Sequence, residues 1–270
     1  MVQILRQPTV HAFIGATLCG VLAGIVLADD AMEEINKYRD MLKDDNPAEL
    51  IAMQGEDLWK TPRGPRNATL QNCDLGLGPG VVKGAYARLP RYFADTGKVQ
   101  DLESRLVTCM VQLQGLTREE AVKGWYEPGS ALESLLTYVA AQSKGEKIDV
   151  PAAHPKEAAL YSIGEAFFWH RSGPLDFGCS TCHSHDNRRI RLQEVPNLTT
   201  AQGAREAVAQ WPAYRVSQGA VWGMERRLLD CIRQMRYPEA DFLSDAIVAL
   251  EVYMQKNASG AVLDVPGIKR

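Results

Sequence analysis

Cys179-Ser180-Thr181-Cys182-His183 decides how this chain reads. C-x-x-C-H is the spacing at which two thiols add to the two vinyl groups of one haem while the next His becomes an axial iron ligand. A redox dithiol shares the C-x-x-C core but belongs in a βαβ context, which the flanks lack. Half a zinc site needs a second ligand pair at zinc spacing, and none follows. The motif reads as the attachment site of one covalent haem c per chain, with Cys179 and Cys182 as thioether residues and His183 as the proximal ligand.

The chain also matches itself. At an offset of 122, Pro90 falls on Pro212, Tyr92 on Tyr214, Gly97 on Gly219, Glu103 on Glu225, Arg105 on Arg227 and Cys109 on Cys231 without a gap. Upstream, an offset of 109 places Gly55-Glu56 on Gly164-Glu165 and Cys73-Asp74 on Cys182-His183. In that register Asn72-Cys73-Asp74 occupies the place of the haem motif with one thiol and the histidine gone. Asp74 cannot replace a neutral imidazole as a low-spin ligand, so the first half reads as a haem domain that has lost its haem. Leu136–Gly145 likewise resembles Glu251–Gly260, each read as a helix ending in Gly.

Apolar residues at helical spacing over 103–114 and 224–236 predict helices, and strand alternation is scarce. Composition shifts near Lys144 to Pro155, where Gly, Lys and Pro interrupt the apolar period and predict a linker. The expected fold is mainly α: two tandem cytochrome c-like domains related by internal duplication, 29–150 without haem and 151–270 with it. The chain has 270 residues, 46% hydrophobic and 23% charged, which suits two small cores and excludes disorder. A formal charge of -3 gives no reason to expect a nucleic-acid partner.

Residues 1–28 read as a signal peptide. Arg6 is the only charge before the apolar run from Ala12 to Ala28, and Val26-Leu27-Ala28 puts small residues where a secretory cleavage site needs them. Export to the periplasm follows, with no membrane span after cleavage near Ala28. An uncleaved anchor is the alternative, because the run is at the lower length limit for crossing a bilayer. Cys19 is leader rather than lipidation site, since bulky Leu18 precedes it. Of the mature cysteines Cys73, Cys109, Cys179, Cys182 and Cys231, the haem uses two. The remaining three allow one disulfide and leave one thiol to be explained.

The sixth haem position decides function. Met224, Met235 and Met254 are all admissible by length, and Met ligation would describe a plain periplasmic electron-transfer cytochrome c. Cys231 is the other candidate. It shares a helix face with Leu228, Met224 and Met235, with Arg227 one turn earlier beside it.

Cys73–Gly80, Gly84–Phe93, the haem motif, Trp211–Arg215 and Arg226–Arg236 together resemble the SoxA subunits of thiosulfate-oxidising SoxAX cytochromes. The likeness covers nearly all of the mature chain, and the spacing from haem motif to Arg-x-x-x-Cys is not a general cytochrome feature. The resemblance implies Cys231 as distal haem ligand, often carrying an extra sulfur as a persulfide, and Arg227 as active-site arginine. It also implies an L-cysteine S-thiosulfotransferase that joins thiosulfate to a cysteine of the carrier protein SoxYZ. The implied partners are a SoxX-like monohaem cytochrome, forming a heterodimer, and a small electron-accepting cytochrome c. Family members with two haems carry a second C-x-x-C-H in the first half; this chain departs from them and resembles the single-haem type. A non-catalytic haem subunit that only anchors a partner is the other rival reading.

From His183 to Arg236 there are nine Arg and no Lys against five acids, a local balance of +4 in an acidic chain. Arg suits a dianionic substrate, because its planar fork binds oxyanions bidentately and does not titrate. Arg188, Arg189, Arg191, Arg205 and Arg233 read as solvated or propionate-pairing residues, and His154, His170 and His185 as surface or core histidines. The repeat puts Cys73 and Cys109 where the proximal motif and distal ligand stand in the second half. Collapse of an empty haem pocket in an oxidising compartment predicts a Cys73–Cys109 disulfide.

Overall fold

The computed structural model describes residues 33–34, 37–38, 40–42, 45–190 and 193–269. The expected signal peptide and Arg191 lie outside these residues. The described residues before Pro47 and those from Pro47 on belong to separate compact units. In the first, the described residues include helical ones in which Lys37 Nζ lies 3.2 Å from Glu33 and 2.9 Å from Glu34.

The second unit is mainly helical with very short strands, and its elements recur in the two registers read from the sequence. Helix α1 spans Ala48–Lys60, followed by the strands β1 Arg91–Phe93 and β2 Lys98–Gln100, which pair antiparallel. Helix α2, Leu102–Cys109, continues as a π-helical turn over Met110–Gln114; α3 is Arg118–Ala121 and α4 Ala131–Ala141. The second half has α5 Pro155–Trp169, α6 Cys179–His183, β3 Arg188–Ile190, β4 Gln193–Val195 and α7 Ala201–Val208. Then come β5 Ala213–Arg215, β6 Ala220–Trp222, α8 Met224–Gln234, α9 Asp245–Asn257 and β7 Gly267–Lys269. Strand β7 pairs parallel with β5, which gives a three-stranded sheet in the order β6-β5-β7.

The offset of 122 carries β1 onto β5 and β2 onto β6 residue for residue, and α2 with its π turn onto α8. The offset of 109 carries the bridge Arg63–Ala68 onto Ser172–Phe177. Glycines let the paired helices meet in the same way in each half. A Cβ on Gly55 of α1 would stand 1.9 Å from Ser134 O of α4, and one on Gly164 of α5 would stand 2.0 Å from Ala249 O of α9. Gly→Ala inside a helix normally gains about 1 kcal/mol, but here overpacking against backbone opposes it. Gly164→Ala is therefore expected to destabilise the chain by about 1 to 3 kcal/mol, read as a lower midpoint in urea unfolding at unchanged slope.

Two local expectations change. Helices α4 and α9 end at Ala141 and Asn257, before Gly145 and Gly260. Those glycines sit at φ 83° in turns beyond the caps, where only glycine is unstrained. The segment near Lys144–Pro155 is no loose linker. Ile148 and Val150 are buried, and backbone bonds such as Ile148 N–H to Ala261 O (2.9 Å) tie it to the chain's last turns. Alternating polar Lys147 and Asp149 with apolar Ile148 and Val150 explains this, since period-two alternation buries one face.

Candidate haem and sulfur site

Helix α6 is a single turn that presents the C-x-x-C-H motif. Gly178 precedes it in extended conformation, with its N–H donated to Thr181 Oγ1 at 3.0 Å. Cys179, Cys182 and His183 are half-buried. Across from them α8 presents Cys231, also half-buried, while its Leu228 and Ile232 enter the core.

The donor set suits a covalently held haem. His183 Nδ1 stands 2.9 Å from Pro196 O, the geometry of an N–H donated to that carbonyl. This fixes the tautomer and leaves the Nε2 lone pair free for iron. Burial holds the imidazole below its usual pKa, the Pro196 bond partly opposes this, and nearby Arg227 reinforces it, so the ring stays neutral as a ligand must. Burial pushes Cys179 up to about 12, with Cys231 and Cys182 adding to the rise. The three thiols are close enough to act on one another. Met224 and Met235 are instead packed into the hydrophobic core, and Met254 lies against its edge.

Burial also raises the Cys231 thiol. Arg227 is the strongest opposing influence, Asp230 and Cys182 push the value further up, and Arg215 pulls it back. Arg227 Nη1 lies 3.4 Å from Asp230 Oδ2, while Asp230 is held more tightly by Arg233 at 2.7 Å and Gln234 at 2.6 Å. Its guanidinium sits 6.0 Å from the Trp211 ring. Arg105, which the offset of 122 places on Arg227, behaves differently. It is almost fully buried, bonds Asp95 at 2.8 Å and Asp74 O at 2.6 Å, and caps Phe93 at 4.0 Å. Nε and Nη1 of Arg105 are engaged inside the fold, whereas Arg227 makes one long contact, with Asp230.

Arg215 is a site residue to which sequence reading gave no role. The β5–β6 hairpin brings it against Arg227, Asp230 and Cys231, and its buried Nε has no hydrogen-bond partner. Burial lowers its pKa, and Arg227 lowers it further. Arg215 and Arg226 flank the Trp222 ring at 5.2 and 4.5 Å. The +4 balance contained the signal; the hairpin that folds Arg215 back was not readable as such. Among the other residues, Arg205 donates to Ser259 O at 3.0 Å, and His154 caps α5 and stacks on Tyr92 at 3.7 Å.

In the first half Cys73 and Cys109 form a disulfide with Cα atoms 5.5 Å apart. A cavity of about 450 Å³ borders it, lined among others by Asp74, Arg91, Phe93 and Arg105.

Residues 54–148 match the family described as SoxA/TsdA, cytochrome c domain. A cytochrome c domain carries haem c covalently, and Cys179 and Cys182 stand at the spacing that attachment requires. The L-cysteine S-thiosulfotransferase subunit SoxA of Hydrogenophilus thermoluteolus is 50% identical, over 98% of this chain and 99% of its own. A subunit of the same name from Hydrogenobacter thermophilus is 34% identical over 91% of this chain and 94% of its own. The crystal structure of SoxXA from P. pantotrophus shares the fold, with a TM-score of 0.72 and 23% identity over 87% of this chain and 84% of that one. With half its residues shared along essentially the whole length of such a relative, the chain belongs to the SoxA family of L-cysteine S-thiosulfotransferase subunits.

Proposed function

We propose that the chain is the haem c subunit that conjugates thiosulfate to a cysteine of a carrier protein of the SoxYZ kind, with Cys231 and Arg227 as its catalytic pair. The observation that carries this reading is the convergence of Cys231 with Arg227 and Arg215 beside the C-x-x-C-H turn. In the reaction a bond forms between the outer sulfur of thiosulfate and the carrier's cysteine sulfur. The carrier thiol gives up its proton, two electrons leave the sulfur pair, and the product is a protein-bound S-thiosulfonate.

Cys179 and Cys182 would hold the haem covalently and His183 would ligate it through Nε2, with Cys231 of α8 as the further candidate ligand. When bound, haem c supplies a one-electron acceptor. Arg227 and Arg215 offer two guanidinium forks to the sulfonate oxygens of a dianion, and Arg fits this geometry better than Lys. The same positive charges favour the Cys231 thiolate over the thiol, against the burial that raises its pKa.

The division into 29–150 and 151–270, with the first half a cytochrome c-like domain without haem, is supported by the recurring elements. It is also supported by the match of a cytochrome c domain family to 54–148, a stretch with no C-x-x-C-H. A Cys73–Cys109 bond in the exported protein agrees with the 5.5 Å Cα spacing. Replacing both by Ser is expected to cost about 3 to 4 kcal/mol for a loop of 36 residues, a fall of roughly 10 °C in Tm by calorimetry.

A two-electron oxidation is poorly matched to one haem. A second monohaem subunit of the SoxX kind would relay electrons to a small cytochrome c, and the relative solved as SoxXA favours such a partner. Periplasmic location agrees with covalent haem, and no helix among the described residues is long and apolar enough to cross a membrane. The test is intact-mass analysis of the carrier after incubation with thiosulfate, an oxidised cytochrome and the assembled subunits. A gain of one thiosulfate group that requires this chain supports the reading, and an unmodified carrier refutes it.

A further inference from the structure

Four carboxyl groups are buried together within the unit formed by residues 47–270. Asp101 caps α2, Glu103 follows in its first turn, Glu225 is in the first turn of α8, and Glu251 is in the middle of α9. Their exposures are 0%, 3%, 0% and 1%. Ligand oxygens of Asp101, Glu103 and Glu251 all lie within 4.8 Å of one another. That is the span available on a sphere of metal–oxygen bonds of about 2.4 Å.

These carboxyls lack the partners that buried charge requires. Glu251 meets only Asp101 and Gln255 within hydrogen-bonding range, and Asp101 Oδ2 and Glu225 Oε1 have no partner outside the cluster. Glu225 stands outside the triad, yet its carboxyl reaches Asp101 within hydrogen-bonding range, while its other oxygen accepts from Leu243 N–H at 2.7 Å. No ion pair to Lys or Arg involves any of the four among the described residues. Burial and the neighbouring carboxyls raise the pKa of Glu103 to about 8 and those of Glu225 and Glu251 well above the usual range. An arrangement of this kind is unfavourable unless something positive offsets it.

The sequence registers show that the cluster is built from both halves. At the 122 offset Glu103 corresponds to Glu225, and Asp101 to Gly223. A Cβ on Gly223 would stand 2.0 Å from Glu103 Oε1, so the absence of a side chain there gives the Glu103 carboxyl its place. Tyr86 borders the group, donating to Trp211 O at 2.9 Å.

We propose that Asp101, Glu103 and Glu251, with Glu225 closing the shell, hold one calcium-like hard divalent cation that joins the two halves of the chain. Oxygen-only donors select against zinc and copper, which favour nitrogen and sulfur. Near-complete exclusion of water disfavours magnesium, which keeps several waters, and favours calcium, which takes carboxylates bidentately among its six to eight oxygen ligands.

The test uses the haem-loaded protein with its partner subunit. After dialysis against metal-free buffer, elemental analysis is expected to find about one calcium per chain besides haem iron. A strong chelator should then lower Tm by roughly 5 to 10 °C, and Ca²⁺ added alone, at about a hundredfold excess over its Kd, should restore it. Mn²⁺ added alone should occupy the emptied site and broaden its EPR signal. The isosteric Glu251→Gln variant should retain covalent haem but lose the calcium and the response to chelator. If that variant does not fold, the chelation and re-addition measurements on the unaltered protein decide the matter. Two results overturn the proposal: no divalent cation retained and no change in Tm with chelator, Ca²⁺ or Mn²⁺; or a bound cation whose retention is unaffected in a folded Glu251→Gln protein.

Discussion

Replacing Cys231 by Ala should lower thiosulfate-dependent electron transfer by roughly three orders of magnitude or more while the haem stays covalently attached. The two effects separate because attachment depends on Cys179 and Cys182 of α6, whereas Cys231 lies on α8. Truncation to Ala removes only a sulfur from a half-buried position, and Leu228 and Ile232, which anchor α8 in the core, are untouched. Loss of folding is therefore not expected to obscure the result. Haem staining of a denaturing gel checks attachment, and stopped-flow reduction by thiosulfate in the presence of the carrier checks activity. A Cys231→Ala protein that conjugates at an unimpaired rate would mean that the sulfur chemistry lies elsewhere.

The two arginines beside Cys231 should each matter, and together more. Removing one charge-assisted contact costs about 2 to 3 kcal/mol, so Arg227→Ala or Arg215→Ala should lose about 30- to 150-fold in the specificity constant for thiosulfate. The double variant should lose about 1000-fold or more, with some departure from additivity because the two guanidinia act on each other. The variants also differ in pH dependence. Arg227 is the strongest influence opposing the burial-driven rise of the Cys231 pKa, so its removal lets that pKa climb further. The thiolate then forms only at higher pH, and the rising limb of the pH–rate profile should move to the alkaline side. Arg215 is the weaker influence on Cys231, so its removal should move that limb less. Arg105→Ala should behave as a stability variant, because its repeat position is tied into the fold by Asp95 and Asp74 O.

Much of this architecture was legible before any coordinates. C-x-x-C-H has few other physical uses, and a self-match that runs from Pro90 to Gln112 without a gap predicts matching elements, as β1–β2 and β5–β6 show. Helix periodicity placed α2 with its continuation to Gln114 and α8 from its first residue, Met224, but did not show that the first run changes to a π turn. The π turn at Met110–Gln114 and the turns before Gly145 and Gly260 depend on tertiary packing that propensity does not encode. Arg215 was invisible as a site residue because 16 positions separate it from Cys231 and only the hairpin closes that gap. The parallel pairing of β5 with β7 spans a still longer separation, for which local sequence carries no signal. The buried carboxyls were hidden for the opposite reason. Asp101, Glu103, Glu225 and Glu251 look like ordinary helix-surface acids, and only their depth in the core sets them apart. A retrospective clue was present, since Glu103 and Glu225 coincide in the repeat next to apolar positions of α2 and α8.

The central claim, that Cys231 rather than a methionine faces His183 across the haem, is tested most directly by the absorption and low-temperature EPR spectra of the ferric protein, recorded beside those of Cys231→Ala. The account predicts low-spin signals of thiolate ligation that disappear in the variant while the haem remains attached. A Met-to-iron charge-transfer band in the unaltered protein, persisting in Cys231→Ala, would contradict it.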